Sequence, residues 1–314
     1  MHCRDSVRWA ELLRKMEKPG NETAFMNECL GESWDTGSKL VTLEELEEAC
    51  TLRHKNNYQA ALKAFDPNKY VLRFLAIDWS GGGAKEESLT CMSVLGLLPS
   101  GKIEVVLMKV VPHRIDHARD AYEAMKMFDD FFCHKLVHDY TGAGANRESL
   151  LVTLGFPLEK IVPISLSRMA GRKEMMTYIP PTRSNVRSSY TLDKPRSLVY
   201  MCELIKHGYI GFPRYQSCEA ELEHFLALVE ETIQTPRGGD LYLVGKEQGV
   251  PDDAAQAVNL GIHAIYTDQG HYPELTRFDK PKTSKDAMKE AGVGLSSKVF
   301  APGLHQDGSE EVGR

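Results

Sequence analysis

The stretch YVLRFLAIDWSGGG, residues 70–83, decides the fold of this chain. Apolar residues run from Tyr70 to Ile77, Asp78 follows, and three glycines come soon after it. A short apolar run that ends in a glycine cluster is typical of a buried strand. Glycines at such a turn let another backbone or a ligand approach closely. We therefore predict a central strand that ends at Asp78, whose carboxylate is either a turn cap or part of a site.

Alternating and helical patterns on the C-terminal side of this strand predict the rest of a mixed sheet. Two strand-like segments, 88–99 and 102–112, are joined by a tight turn and complete an antiparallel trio with the first strand. The order then becomes helix, strand, helix, strand, which favours right-handed parallel crossovers. These later elements are predicted at 116–135, 135–142, 147–154 and 160–167.

The remaining elements are less regular. Residues 1–66 are predicted to be mostly helical, with Thr42 as the N-cap of one helix and Glu45 completing a capping box. Asp66-Pro67 breaks that pattern. Beyond the central region we predict helices at 196–207, 218–232 and 251–266, and strands at 209–213 and 239–246.

Composition and charge exclude several classes of protein. The chain has 314 residues and a formal net charge of −6, which argues against coating nucleic acid by charge alone. Its seven cysteines form no CxxC pair, so neither a disulfide framework nor a zinc ribbon is expected, and a reducing cytosol fits best. No apolar stretch is long enough to cross a membrane, so no membrane partner is expected.

Aspartates stand at three places that the predicted topology would gather. Asp78 ends the first strand, Asp139 ends a later parallel strand, and Asp252 and Asp253 begin a late helix. Carboxylates at matching heights on neighbouring strands, about 4.8 Å apart, repel one another unless cations are present. Oxygen ligands without His or Cys favour Mg²⁺ or Mn²⁺, and two such ions can catalyse phosphodiester cleavage. Taken singly, each aspartate could equally be an ordinary cap or strand-end acid.

A basic segment, residues 168–196, interrupts the pattern. It shows little periodicity and carries seven basic residues against two acidic ones. We predict a loop-rich region that contacts DNA phosphates, although a solvated basic loop explains the same residues. Lys194 and Lys246 are also candidates for the scissile phosphate, against an ordinary solvated role. The candidate DNA-binding residues of the segment are Arg168, Arg172, Lys173, Arg183, Arg187, Lys194 and Arg196.

The order of the elements and the placement of the acids resemble the ribonuclease H-like superfamily, and within it the nuclease domain of the large terminase subunit of tailed bacteriophages. Two stretches resemble the connector that follows a terminase motor domain: FMNECLGESWD (25–35) and TLEELEEA (42–49). The likeness spans roughly residues 20–270, and the order of the motifs is more specific than any one motif. The motifs are IDWSGGG (77–83), VHDYTGAGANRESLL (137–151), LDKPRSLVYMCELIKHGYIGFP (192–213) and GVPDDAAQAVNLG (249–261).

The resemblance implies an α/β fold of the ribonuclease H-like type, a mixed sheet of three antiparallel strands and then parallel strands, flanked by helices. It implies a metal-dependent endonuclease that cuts concatemeric viral double-stranded DNA during genome packaging. Asp78, Asp139 and Asp252 or Asp253 would hold two Mg²⁺ or Mn²⁺ ions. Which of the last two aspartates is the main ligand stays open.

The resemblance also implies a domain organisation and a set of partners. Residues 1–66 would be the helical connector, 67–272 the nuclease domain and 273–314 a polar, flexible tail. No GxxxxGK motif followed by Ser or Thr occurs, so we expect the motor ATPase to be another domain of a longer protein or a separate chain. The other expected partners are double-stranded DNA, a small terminase subunit and a portal protein, in the cytoplasm of the infected bacterial host.

A nucleotide-binding function is the main rival to this interpretation. DWSGGG and DYTGAG could be the phosphate-binding turns of an actin-like ATPase or kinase, but that leaves Asp252 and Asp253 without a role. Such a protein would also normally repeat the domain, and the second half shows no repeat. A protein of the same fold that only binds DNA is a second rival, and a nuclease of the resolvase or transposase type is a third.

Overall fold

The protein is described by a computed structural model that covers residues 39–80, 89–111, 116–169, 174–183, 187–234, 240–247 and 249–275. The helix predicted near the N-terminus, the glycines at 81–83 and the tail after residue 275 lie outside these ranges. The predicted domain boundaries therefore stay predictions.

In the residues described from position 39 onward, two short helices precede the sheet. Helix α1 (Leu43–Ala49) begins at the predicted N-cap: Thr42 Oγ1 accepts the Glu45 amide at 3.3 Å, and Glu45 Oε2 accepts the Thr42 amide at 2.8 Å. This reciprocal pair satisfies two amides that a helix start leaves open. Helix α2 (Tyr58–Ala64) ends before Pro67, as the sequence predicts. A single 3₁₀ turn, Pro67–Lys69, leads into the sheet.

The predicted antiparallel trio is present. Strand β1 (Leu72–Asp78) ends at the predicted aspartate and pairs along its length with β2 (Thr90–Leu97). Strand β2 pairs with β3 (Ile103–Val111) after a turn in which Gly101 has a φ of +84°. Only glycine adopts that conformation without strain, which explains the sharp reversal there.

The parallel half of the sheet follows through two crossover helices. Helix α3 (His117–Asp130) ends earlier than predicted because Phe132, with a φ of +48°, turns the chain back toward β4 (Lys135–Asp139). Helix α4 (Gly144–Thr153) then leads to β5 (Ile161–Ser167). Strand β4 is parallel to both β1 and β5. The resulting order β3-β2-β1-β4-β5, antiparallel and then parallel, confirms the ribonuclease H-like fold class.

The structure corrects the prediction for the basic segment, which is not simply loop. It contains β6 (Met176–Ile179) and β7 (Ser189–Asp193), which extend the sheet beyond β5. Strand β6 is the edge strand and β7 lies between it and β5. Both are short and only partly buried, so their sequence lacks the apolar alternation that marks a half-buried strand. With the two-residue β8 (Ile210–Gly211) beside β3, the described residues form a sheet of eight strands.

The second correction concerns the helix predicted at 218–232. The stretch from 228 is rich in β-branched residues, which favour strand, and it pairs with the next strand in a separate two-stranded hairpin. The strand predicted at 239–246 is thus present but lies outside the large sheet. The elements of this half are α5 (Lys194–Lys206), α6 (Tyr215–Leu226), β9 (Leu228–Gln234), β10 (Asp240–Lys246) and α7 (Asp253–Gln269).

Helices cover both faces of the sheet. Phe74 and Ala76 pack in a core shared with α5, α6 and α7, whereas Leu75 and Ile77 pack in a second core with α3. Helix α7 is enclosed, since all residues from Asp253 to Tyr266 are buried. In the described part of the chain, no helix is long and apolar enough to cross a membrane.

Candidate active site

Two of the predicted aspartates lie side by side where β1 and β4 end; we call this side of the sheet, at the C-terminal ends of its parallel strands, the carboxylate edge. Ile77 of β1 lies opposite His138 of β4 in the parallel register, so Asp78 and Asp139 follow at matching heights. Side chains alternate along a strand, and both aspartates are therefore on the face that α7 covers, two residues beyond the core residues Ala76 and Val137. Asp78 is buried, with 9% of the residue exposed.

The N-terminus of α7 brings the acidic pair to the same place. Asp252 occupies the N-cap position, and its carboxylate accepts a hydrogen bond from Gln256 at 2.9 Å. Asp253 is in the first turn and is 5% exposed. His224 of α6 completes the cap, because its Nδ1 accepts the Ala254 amide at 3.0 Å. No sequence pattern marks His224 for this role.

The electrostatics of Asp78 indicate that the four carboxylates form one cluster. Burial raises the pKa of Asp78 well above its usual value, and repulsion from Asp139, Asp253 and Asp252, in that order, raises it further. Lys194 opposes this shift. Because each of these residues acts on one buried carboxyl, all the predicted acidic residues share a single region of the molecule.

Asp139 is less strongly perturbed. Burial raises its pKa, while the Thr141 amide, which donates to Asp139 Oδ1 at 2.8 Å, lowers it. His138 and Lys194 act on the pKa of Asp139 in the same direction as the Thr141 hydrogen bond. Of the two strand-end carboxyls, Asp139 is therefore the one whose ionised form the protein supports better.

Asp252 differs from its neighbours because two lysines pair with it. Lys246 Nζ lies 3.0 Å from Asp252 Oδ1, and Lys194 Nζ lies 3.7 Å from Oδ2. Burial disfavours the charge, but Lys194, Gln256 and Lys246 outweigh it and lower the pKa of Asp252. Both lysines predicted to reach a phosphate are thus beside the carboxylate cluster.

The carboxylate oxygens of the cluster are ligands of the type that a hard divalent cation prefers. The cluster offers carboxylate oxygens and carries mutual repulsion that such a cation would relieve. Among the residues that the structure describes, however, no three His, Cys, Asp or Glu side chains are placed to hold a metal ion together. The acids converge on one region without forming a closed coordination shell.

The basic residues do not form one surface. Arg168 follows the end of β5 and Lys194 follows the end of β7, so both are at the edge that holds Asp139. Arg183 lies in the connection from β6 to β7, which is at the opposite edge because Ile179 pairs with Ser189 at the start of β7.

The other basic residues have varied surroundings. Arg187, in the same connection as Arg183, pairs with Glu148 at 2.9 Å. Arg196 lies 3.9 Å from Asp193 near the carboxylate edge. Arg172 and Lys173 lie outside the described residues. Within the segment predicted to bind phosphate, the basic residues found near the aspartates are therefore those at its two ends. Their contact with DNA stays a prediction.

Comparison with known proteins finds similar folds among solved structures. The chain is similar to the large terminase nuclease from thermophilic phage G20c, with 14% identity over 73% of this chain and 98% of that chain and a TM-score of 0.48. It is also similar to the nuclease domain of the large terminase subunit of bacterial virus Sf6, with 12% identity, coverage of 75% and 100%, and a TM-score of 0.46.

A third similar structure is the HK97 bacteriophage large terminase, with 12% identity, a TM-score of 0.44, and coverage of 83% of this chain but 51% of that chain. No model of a protein family matches the sequence, and no curated protein matches it. At identities this low, the activity has to be argued from the site itself.

Proposed function

We propose that this chain is a divalent-metal-dependent DNA endonuclease of the large-terminase type. One observation carries the proposal: a buried strand-end carboxyl, Asp78, is surrounded by three others contributed by a parallel strand and a helix N-terminus. A structural role does not account for this arrangement, because gathering four acids raises the free energy of the folded protein. A site that binds a cation and a phosphodiester does account for it.

Asp78, Asp139 and Asp253 are the residues that we propose hold Mg²⁺ or Mn²⁺. Asp253 acts on Asp78 more strongly than Asp252 does, and Asp252 is already paired with two lysines. When bound, a pair of such ions would activate a water molecule and stabilise the departing 3′ oxygen. The protein itself supplies the burial that excludes bulk water and the register that keeps the two strand-end acids together.

Arg168 and Lys194 are proposed to hold the DNA backbone at the same edge. Arg168 is exposed, and Lys194 has 40% of its side chain exposed, so both can reach a phosphate. Contacts of this kind do not discriminate between bases, so little sequence preference is expected. Lys246 keeps Asp252 ionised, which preserves a negative charge at the rim of the cluster.

Cutting of concatemeric viral DNA during packaging is the biological role that fits the sequence motifs. In that role the chain would act with a motor ATPase, a small terminase subunit and a portal protein in the infected host. The observation behind this part is the order of the motifs along residues 20–270.

The rival nucleotide-binding function has lost part of its support. A Cβ atom at Gly144 of DYTGAG would lie 1.9 Å from the Asp139 carbonyl oxygen. This glycine is thus required by the close approach of α4 to the end of β4, and a phosphate ligand is not needed to explain it.

The direct test is cleavage of supercoiled plasmid with Mn²⁺ or Mg²⁺. Wild-type protein should nick and linearise the plasmid, whereas Asp78→Asn and Asp139→Asn should be inactive. Asp268→Asn, which changes an exposed aspartate at the far end of α7, is the matched control and should cut normally. Hydrolysis of ATP together with intact plasmid would overturn the proposal in favour of the nucleotide-binding function.

A further inference from the structure

A polar cluster lies behind the aspartates, on the opposite face of the same sheet edge. Trp79 and His138 are next to Asp78 and Asp139 in sequence, so they point to the other face, where α3 packs. His138 is fully buried, and its ring meets the Trp79 ring edge-on at 6.5 Å between centroids. This burial makes a histidine costly unless its nitrogens are satisfied.

Both ring nitrogens of His138 face acceptors. Nδ1 lies 2.9 Å from the backbone carbonyl oxygen of Asp139, and Nε2 lies 3.1 Å from Glu148 Oε2. Neither partner can donate in return while Glu148 is ionised. The ring is therefore fixed in one orientation by two bonds, and one of those bonds is to the backbone of Asp139 itself.

Arg187 extends this chain of bonds to the basic segment. Its Nε donates to the other oxygen of Glu148 at 2.9 Å, and its Nη2 donates to the Ile161 carbonyl at 3.0 Å. The guanidinium thus bridges α4 and the first residue of β5. With 19% of its side chain exposed, Arg187 is turned inward, and it lies at the sheet edge opposite the carboxylates.

The backbone at Asp139 is confined from several sides. Helix α4 approaches its carbonyl oxygen so closely that only glycine fits at position 144. The next amide, of Tyr140, donates to the Ile164 carbonyl at 2.7 Å. His138 supplies the remaining contact, so the direction in which the Asp139 carboxylate leaves the strand depends on a ring that Glu148 orients.

We propose that Arg187, Glu148 and His138 are positioning residues that fix the Asp139 carboxylate, and that Arg187 serves this purpose and does not contact DNA. The inference deepens the proposed function, since positioning matters for catalysis only if Asp139 takes part in it. Partners that orient metal-binding side chains in this way typically change metal affinity or activity by about 10–100-fold when they are replaced.

The first experiment measures the confinement directly and needs no activity. Amide hydrogen exchange is followed by mass spectrometry on peptides covering residues 136–144 in metal-free protein. In Glu148→Gln and Arg187→Lys, exchange in these peptides should become about tenfold faster, because charge-assisted bonds that hold the turn are weakened. Arg187→Lys keeps the charge but loses the planar fork that reaches two acceptors.

The matched control is Glu203→Gln. Glu203 also accepts from a lysine and lies beside a histidine, Lys206 at 3.0 Å and His207 at 3.9 Å, but it is 41% exposed near the C-terminal end of α5. Its replacement should leave exchange in residues 136–144 unchanged. Equal exchange in wild type, Glu148→Gln and Arg187→Lys would overturn the proposal, whatever the protein does to DNA.

The second experiment separates positioning from DNA contact. Binding of a fluorescent duplex without divalent metal should be unchanged within about twofold in Arg187→Gln, with an unchanged salt dependence. Loss of a phosphate contact would instead lower the slope of log K against log salt by about 0.9 and would overturn the assignment. The kcat for cleavage should fall about tenfold or more in Arg187→Lys and Glu148→Gln, with KM for DNA retained.

The two experiments also distinguish failure of this inference from failure of the proposed function. If wild-type protein does not cut DNA but the variants show faster exchange, the positioning role stands and the nuclease assignment falls. If wild-type protein cuts DNA and the variants match it in both exchange and kcat, the positioning role falls and the nuclease assignment stands. Glu148→Gln is the variant more at risk of misfolding, and Arg187→Lys, on a half-buried side chain, provides the same readouts.

Discussion

Replacing Asp78 with asparagine should abolish cleavage and, in the absence of divalent metal, stabilise the protein. The two effects have opposite signs because, under the proposed function, the carboxylate serves catalysis at the expense of folding. Asparagine keeps the size and one acceptor oxygen of the aspartate but carries no charge. It therefore removes the repulsion that Asp139, Asp253 and Asp252 exert on this buried position.

The magnitude follows from the strand register. Asp78 and Asp139 are in step on neighbouring parallel strands, which lie about 4.8 Å apart. Two charges at about 5 Å repel by roughly 3 kcal/mol at an effective dielectric of about 20. Loss of the attraction to Lys194 reduces the benefit, so we expect a net gain of about 1–3 kcal/mol. For a domain of this size, each kcal/mol raises Tm by about 2–4 °C.

The pH dependence has a definite sign. The pKa of Asp78 is raised above 3.8 in the folded protein, so between pH 3.8 and the raised pKa the folded protein holds a proton that the unfolded chain has lost. Wild-type stability should therefore fall as pH rises from about 3.8 through the raised pKa, while Asp78→Asn lacks this contribution. The advantage of the variant should be largest at neutral pH and should vanish near pH 3.8.

The assay is urea or thermal unfolding in EDTA, followed by circular dichroism at several pH values, with Asp268→Asn as the exposed control. Adding Mn²⁺ should stabilise wild type by about 2.7 kcal/mol at 100 times its Kd and should do much less for the variant. A variant that is less stable than wild type in EDTA at neutral pH, or a difference that does not depend on pH, would refute the reasoning.

Three further predictions concern the neighbours of this residue. Lys246→Met should destabilise metal-free protein by about 1 kcal/mol, since Asp252 loses a partner that lowers its pKa. The loss of stability should be present at neutral pH and should disappear on acidification, which urea titrations at neutral and acidic pH measure. Gly144→Ala should cost about 1–3 kcal/mol and most of the activity, because its Cβ would collide with the Asp139 carbonyl; normal Tm and kcat would contradict the observed packing. Arg168→Ala should lower the salt slope of DNA binding by about 0.9, whereas Arg183→Ala, at the opposite sheet edge, should not, and equal slopes for the two variants would show that sheet edges do not define the DNA path.

The sequence was sufficient for the parts of the fold that depend on local pattern. The apolar run before Asp78 and the tight turn at Gly101 predict the antiparallel trio, because buried strands and sharp turns need particular residue types. The capping box of Thr42 and Glu45 was also correct to the residue. The convergence of Asp78 and Asp139 followed from one topological rule, that neighbouring parallel strands end at the same edge.

Other features could not be predicted because they depend on distant partners. Strands β6 and β7 are stable only because β5 offers an edge to pair with, and their own residues do not alternate clearly. For the same reason Arg183 and Arg168, close in sequence and alike in charge, lie at opposite edges. The role of His224 as a cap and of Lys246 as a partner of Asp252 depends on tertiary placement that no motif encodes.

Helix α7 runs through the interior with every residue from Asp253 to Tyr266 enclosed, and Gly261 is pressed against Leu95 and Ala76. Asp253, in the first turn of this buried helix, cannot be withdrawn from the carboxylate cluster without disturbing the packing of the interior. If the proposed nuclease has to stay inactive while DNA moves past it, retracting this helix cannot be the means. Inactivation would then have to come from keeping the duplex or the cations away from the carboxylates.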